Sequence, residues 1–234
     1  MRILAPPGVF RPRSDTWLLA DHLRRDPLVF QADVLDLCAG SGALAVAARR
    51  AGAASATAID VSRRAVLTAR INGLLNGVRV RGRRGDLLAA IPGERFDLIV
   101  SNPPYLPAPE GRPSKGPARA WDAGRDGRVL LDRICAEAPG HLKSGGALLL
   151  VHSSVCGESE TLRRLREGGL DADVVERRRG PLGPLLLERA EELEAAGLLQ
   201  PGVREEELVV VRALSLGPDR AGSRPGPLPA ASSR

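Results

Sequence analysis

Apolar runs of about six residues recur along the chain, and stretches with helical spacing separate them. Asp33–Cys38 (DVLDLC) is the first clear run, and the Ala-rich Ala43–Arg50 predicts the helix that follows. Ser55–Asp60 (SATAID) predicts a second strand. Ser62 then caps a helix through about Asn76, with Ala65, Val66, Ala69 and Leu74 near one face. Val78–Arg81 reads as a weak third strand. Phe96–Ser101 (FDLIVS) is the fourth, and its unbroken apolar character suits a strand covered on both faces. Val129–Leu142 predicts a helix that Pro139-Gly140 can end early, Gly146–Ser153 (GALLLVHS) a fifth strand, and Ser159–Glu167 a further helix. Asp173–Arg177 and Glu207–Ala213 (ELVVVRA) predict two last strands, joined by a helical segment around Leu185–Ala196.

Alternation of this kind implies an α/β domain with a mainly parallel sheet, whose last strand inserts antiparallel. No linker divides residues 33–214, which are expected to form one domain after an N-terminal segment, 1–32. Residues 215–234 are Pro, Gly, Ser and Arg with little apolar content, and predict a disordered tail.

Composition narrows the function classes. A chain of 234 residues buries enough surface to need no disulfide staples. Its three cysteines, Cys38, Cys135 and Cys156, form no CxxC pair, and His22, His141 and His152 are isolated, so no metal cluster is expected. Pro6, Pro7 and Arg11 stand where a signal peptide needs an apolar core, and no run approaches a membrane span. A reducing, cytoplasmic compartment and no membrane partner are expected. The net charge is +6, and only Lys115 and Lys143 are lysines. An arginine excess of that kind suits phosphate or carboxylate recognition, but it also follows from a GC-rich genome, which favours Arg, Ala, Gly and Pro. Charge alone does not make a nucleic-acid protein.

Candidate chemistry sits where the strands end. Asp36-Leu37-Cys38-Ala39-Gly40-Ser41-Gly42-Ala43 lies at a strand-to-helix turn. Gly40 and Gly42 allow a tight turn and close approach of a ligand to the backbone, and Asp60, ending the next strand, can bridge the two hydroxyls of a ribose. The pattern is near a dinucleotide fingerprint. Asp36, however, points negative charge where a pyrophosphate would go and would attract the amino group of a methionine moiety. Asp86, after the third strand, offers an acceptor for the exocyclic amine of adenine. Three acids at three strand ends favour a sulfonium nucleoside over NAD.

The fourth strand delivers Asn102-Pro103-Pro104-Tyr105 to the same rim. Two prolines cannot continue a ladder. The Asn102 side-chain oxygen and the Pro103 carbonyl can together accept both hydrogens of one planar NH2 group. Such a nitrogen is a poor nucleophile because its lone pair is delocalised; holding both N–H bonds aims it and favours pyramidal geometry. Tyr105 can stack on a flat target.

DLCAGSG, Asp60, GDLL and SNPPY, in this order, resemble class I S-adenosylmethionine-dependent methyltransferases, and more narrowly the HemK/PrmC group, which methylates the glutamine amide of a GGQ motif in release factors. Pro12–Leu19 (PRSDTWLL) is similar to the group's segment that folds over the cofactor, and Ala120–Arg128 (AWDAGRDGR) to the loop after its NPPY. The resemblance implies a Rossmann-like fold with a seven-stranded sheet, and a segment 1–32 covering the cofactor. It implies cofactor contacts by Thr16, Asp36, Cys38, Asp60, Asp86 and Leu87, besides the glycines Gly40 and Gly42 and the shared Asn102. Asn102, Pro103, Pro104 and Tyr105 would form the substrate site, with Asn102, Pro103 and Tyr105 catalytic. Cys38 stands where the group usually has glycine, and no histidine is placed to make it a nucleophile. The short leader resembles the branch that lacks the bacterial N-terminal helical domain and pairs with a small zinc-binding activator protein. The stretch Arg177–Glu207 is longer than the group's usual connection and reads as a solvated amphipathic lid or as a docking surface. An RNA or DNA base, adenine N6 or guanine N2, is the alternative acceptor to a protein glutamine, although the chain has no spare length for a base-flipping recognition domain.

Overall fold

The computed structural model describes residues 1–108 and 123–216. Its strands are β1 (Asp33–Leu37), β2 (Ser55–Asp60), β3 (Arg81–Arg84), β4 (Phe96–Ser101), β5 (Leu142–Ser153), β6 (Leu170–Pro181) and β7 (Glu205–Ser215). The helices are α1 (Ser14–Arg25), α2 (Ala43–Arg50), α3 (Arg63–Leu75), α4 (Val129–Glu137), α5 (Glu158–Glu167) and the short α6 (Pro184–Glu188) and α7 (Ala190–Ala195). All seven strands join one sheet in the order β3-β2-β1-β4-β5-β7-β6. The pairs from β3 to β5 are parallel; β7 lies antiparallel between β5 and β6. The α/β fold with an antiparallel last strand is therefore as expected.

Alternate strand residues feed two cores. Leu35, Leu37, Ile99, Leu148 and Leu150 pack with Leu131 and Ile134 of α4 and Leu165 of α5. Val34, Leu98, Val100, Leu149 and Val151 pack with Leu18, Leu19 and Leu23 of α1 and Leu44 of α2. Both faces are covered, so β1, β4 and β5 read as continuous apolar runs.

Four readings need correction. The expected strand at Val78–Arg81 begins its ladder at Arg81, which pairs with Thr57, and runs to Arg84 opposite Asp60. Val80 instead turns inward against Ala69 of α3, and Gly82 leaves room that Val66 fills, since a Cβ there would lie 2.7 Å from the Val66 Cγ1. The segment before β1 holds a 12-residue helix, α1, which no predicted element anticipated. β6 is a strand of 12 residues, longer than Asp173–Arg177, because β7 offers it a full antiparallel partner. The stretch between them is no solvated lid: Leu182, Leu186, Ala190, Leu193 and Leu199 form an apolar cluster of their own, packed against Leu106 and Val155. As expected, α4 ends before Pro139, in a short 3-10 turn at Ala138–His141. The predicted tail lies outside the described residues beyond position 216, as do Ala120, Trp121 and Asp122 of the loop after the prolines.

Candidate functional site

Parallel strands bring their C-terminal ends to one rim, so β1, β2 and β4 present Asp36, Asp60 and Asn102 together. Period two puts Asp36 on the face of Val34, beneath the first turn of α2. Its Oδ2 accepts the Ala45 N–H at 3.0 Å, while Oδ1 is buried with no partner. Burial pushes this carboxyl up to about 8; the Ala45 bond opposes the shift and the nearby charge of Asp60 adds to it.

The loop after Asp36 is held in left-handed backbone: Cys38 at φ 57°, Gly40 at 52° and Gly42 at 75°. A Cβ on Gly42 would stand 2.5 Å from that of Ala69, so only glycine lets α2 approach α3 here. The positive φ of Cys38 strains a side chain and would suit glycine at that place. Burial raises its thiol far above the ordinary range, with the charges of Asp60, Asp36 and Asp86 adding to the effect. Held protonated, the thiol is no nucleophile. Asp60 fixes that loop: its Oδ2 accepts the Gly40 N–H and its Oδ1 the Ser62 N–H, both at 2.9 Å.

Asp86 is engaged elsewhere. Both its oxygens accept from Arg133 Nη1, at 2.9 and 3.0 Å, on the outer surface. The neighbouring Leu87 is buried, at φ 49°. Neither lines the narrow cleft at Asp36, whose walls include Phe10, Thr16, Cys38, Ser41 and Asn102.

Asn102 is fixed from α1. Its Nδ2 donates to Thr16 Oγ1 at 3.0 Å, which leaves the amide oxygen as an acceptor. Asp15 locks the arrangement. Its Oδ1 accepts the Thr16 N–H and Oγ–H at 2.6 and 3.3 Å, and its Oδ2 accepts the Tyr105 hydroxyl at 2.8 Å. Burial and the Asp15 charge keep that hydroxyl protonated far above its usual range. Sequence reasoning missed Asp15, although it adjoins Thr16; no pattern told of a hydroxyl ninety places ahead. The loop after the prolines supports Tyr105 from behind. Gly127 packs so tightly that a Cβ would lie 2.2 Å from the Tyr105 carbonyl oxygen. Arg128 next to it is buried and donates to Asp132, Cys156 O, Gly157 O and Thr161.

A second, larger cleft of about 130 Å³ opens on the other side of Asn102. Asn102, Pro103, Pro104 and Tyr105 line it, together with Gly183–Leu186 and Glu206. Asn102 and Phe10 border both clefts, so the amide stands at their junction. The wall from residues 183–186 was also missed.

The smaller cleft discriminates between ligand charges. An unpartnered carboxylate oxygen, a second carboxylate close by and no basic side chain among its lining residues suit a cationic methionine moiety and oppose a phosphate. The residues present fit S-adenosylmethionine. Among the described residues no group of His, Cys, Asp and Glu is arranged to hold a metal ion, and no helix is long and apolar enough to cross a membrane.

Comparison with known proteins agrees. Residues 1–112 match the family model described as methyltransferase small domain. The chain is 35% identical over 182 residues to a protein of Methanocaldococcus jannaschii with the provisional name protein N5-glutamine methyltransferase, covering 77% of this chain and 90% of that one. It is 39% identical over 178 residues to the release factor glutamine methyltransferase of Bordetella pertussis, covering 70% of this chain but 63% of that one. The E. cuniculi Mtq2–Trm112 complex, described as responsible for methylation of the eRF1 termination factor, has a similar fold, with a TM-score of 0.61 at 24% identity over 89% of this chain and 99% of that one.

Proposed function

The chain belongs to the HemK/PrmC group of S-adenosylmethionine-dependent N-methyltransferases, and from that premise we propose that it methylates the side-chain amide nitrogen of glutamine in a protein of the translation machinery, a release factor first. The observation that carries this reading is Asn102 at the junction of two clefts, with its NH2 group tied to Thr16 and its oxygen left to accept.

In this reading Asp36 receives the amino group of the cofactor's methionine moiety. Cys38, Gly40, Gly42 and Thr16 shape the loop and wall around it, and Asp60 orients the ribose. Asp86 and Leu87 border the adenine, with Asp86 exchanging part of its Arg133 pairing. When bound, S-adenosylmethionine supplies an electrophilic methyl carbon on a sulfonium. Asn102 Oδ1 and the Pro103 carbonyl accept the two N–H bonds of the glutamine amide and hold its nitrogen toward that carbon. Pro104 stiffens the turn, and Tyr105, fixed by Asp15, lies along the amide plane. The new nitrogen–carbon bond would form as the carbon–sulfur bond breaks and a neutral thioether leaves, and the surplus amide proton would then pass to water, so no strong base is required.

We further assign residues 33–214 to one catalytic unit, 1–32 to its cover, and its action to the cytoplasm, where translation factors are found. A small activator, zinc-binding in the family resemblance, is the partner we propose. Leu67, Ile71, Leu74 and Leu75 leave an exposed apolar stripe on α3, beside the sheet's edge strand β3.

The test incubates the protein and methyl-labelled S-adenosylmethionine with a release factor, with and without the activator, and in parallel with RNA. Label on a release-factor glutamine, located by mass spectrometry, is the expected result. Label in RNA alone would replace this reading with base methylation.

A further inference from the structure

Glu206 lies in β7, opposite Gly180 of β6, and borders the larger cleft. Its Oε1 accepts the Gly183 N–H at 2.9 Å, which fixes the side chain against the insertion. Its Oε2 is buried and has no hydrogen-bond partner. Glu206 and Tyr105 both line this cleft. Arg13 also borders the cleft, yet among the described residues no ion pair joins it to Glu206.

A buried carboxylate oxygen left without a donor is costly and is seldom kept without a use. Pro103, Pro104 and Pro184 line the cleft and have no N–H to give. The cleft thus presents two acceptors, on Asn102 and on Glu206, beside the donors of Arg13 and Ser14. The two acceptors are complementary to a ligand that brings N–H groups.

We infer that Glu206 is a substrate-binding residue, whose Oε2 receives an N–H donor of the acceptor polypeptide beside the target glutamine. The inference rests on the glutamine reading above and deepens it. The donor is either a backbone amide next to the glutamine or a basic side chain flanking it, and both present the same N–H chemistry. The insertion acquires a role with it: residues 183–186 hold the carboxylate in place and close the wall.

The experiment uses the full chain, a release factor with its Gly-Gly-Gln loop, and short peptides of that loop. Glu206→Gln keeps an oxygen for Gly183 but turns an NH2 group toward the incoming donor. It is expected to raise KM for the acceptor roughly 10- to 100-fold, as loss of a charge-assisted bond does. The kcat should stay within about threefold, and KM for S-adenosylmethionine and the melting temperature should not change. Glu206→Ala should do the same, with a lower melting temperature from the lost Gly183 bond. Peptides N-methylated on the backbone amide, and peptides with flanking basic residues replaced, identify the donor. The one whose modification adds nothing further in Glu206→Gln carries it, and full additivity for both overturns the inference. So does an unchanged acceptor KM in Glu206→Gln while the wild type methylates glutamine. A wild type that labels no glutamine overturns the underlying reading instead.

Discussion

The two ends of β1 and β4 carry acids in opposite circumstances. At the N-terminal rim Asp33 and Asp97 share Lys143, whose Nζ stands 2.8 Å from an oxygen of each. Asp33 also accepts the Ser55 hydroxyl at 2.7 Å, and Asp97 accepts the Asp33 N–H at 2.8 Å. The bond to Lys143 holds Asp33 below its usual range, and Lys143 is raised in return. At the C-terminal rim Asp36 has one backbone donor, one orphan oxygen and no cation, and is pushed up to about 8. Only Val34 and Leu35 separate Asp33 from Asp36 on the same strand. Asp33 and Asp97 have their partners within the fold, whereas Asp36, which we propose meets the cofactor, keeps one oxygen without a donor.

The largest effect expected of this contrast is on transfer. Asn102→Ala should lower kcat by about 10²- to 10³-fold, the scale of one lost positioning group at a reacting centre. It should leave binding of S-adenosylmethionine within a few-fold, measured by calorimetry. Activity retained in this variant would remove the two-point grip on the amide.

Next comes the orphan acid. Asp36→Asn should weaken cofactor binding about 10- to 100-fold, the worth of a hydrogen bond to a charged acceptor. It should cost no stability near neutral pH, because asparagine resembles the protonated acid and can still accept from Ala45. Stability and function would then respond differently to one atom. A large fall in melting temperature would instead make Asp36 a structural acid like Asp33.

The pH dependence separates the rims further. Asp36 is raised from 3.8 to about 8, so between these values the folded chain keeps a proton that the unfolded chain has lost. Its contribution therefore disfavours the native state increasingly as pH rises from about 4 to about 8. Cofactor binding should draw on the ionised form, tightening up to tenfold per pH unit below about 8 and levelling off above it. Proton release at pH 7, seen as a buffer-dependent heat of binding, checks this. Asp36→Asn should abolish both the release and the slope. The opposite rim behaves inversely. Asp33 stabilises the fold above its ordinary pKa and loses that contribution as pH falls through its lowered value. Lys143 contributes fully below 10.5 and loses its part only above its raised value.

What was legible in the sequence follows the same division. The glycine loop and Asn102–Tyr105 could be read because their chemistry is local: turn, strand end and functional group are chain neighbours. Asp15 and Glu206 could not, because their meaning lies in Tyr105, 90 positions away, and Gly183, 23 away. Asp86 was read from its place after a strand, which said nothing of Arg133 on α4. The alternation in Val78-Arg79-Val80-Arg81 suggested a strand, but the ladder took the next four residues because β2 fixes the register. The insertion could be read as amphipathic, but not what its apolar face meets, because Leu106 and Val155 stand far from it in sequence.

The smallest expected effect completes the comparison. Lys143→Met removes the cation shared by Asp33 and Asp97 and leaves two carboxylates facing each other. The Lys143 side chain is 39% exposed and those of its partners 46% and 36%, so water screens the repulsion. Exposed ion pairs of this kind contribute about 1 kcal/mol or less, which in a chain of this length corresponds to a fall of roughly 2–4 °C in melting temperature. The Ser55 and backbone bonds to the two acids remain, which also limits the loss. Kinetic constants and cofactor affinity should not change, since β1 and β4 still carry Asp36 and Asn102 to the far rim in the same register. The fall should shrink at high salt. A loss of activity without a fall in melting temperature would show that the two rims communicate along the strands, and would end the separation of structural from functional acids.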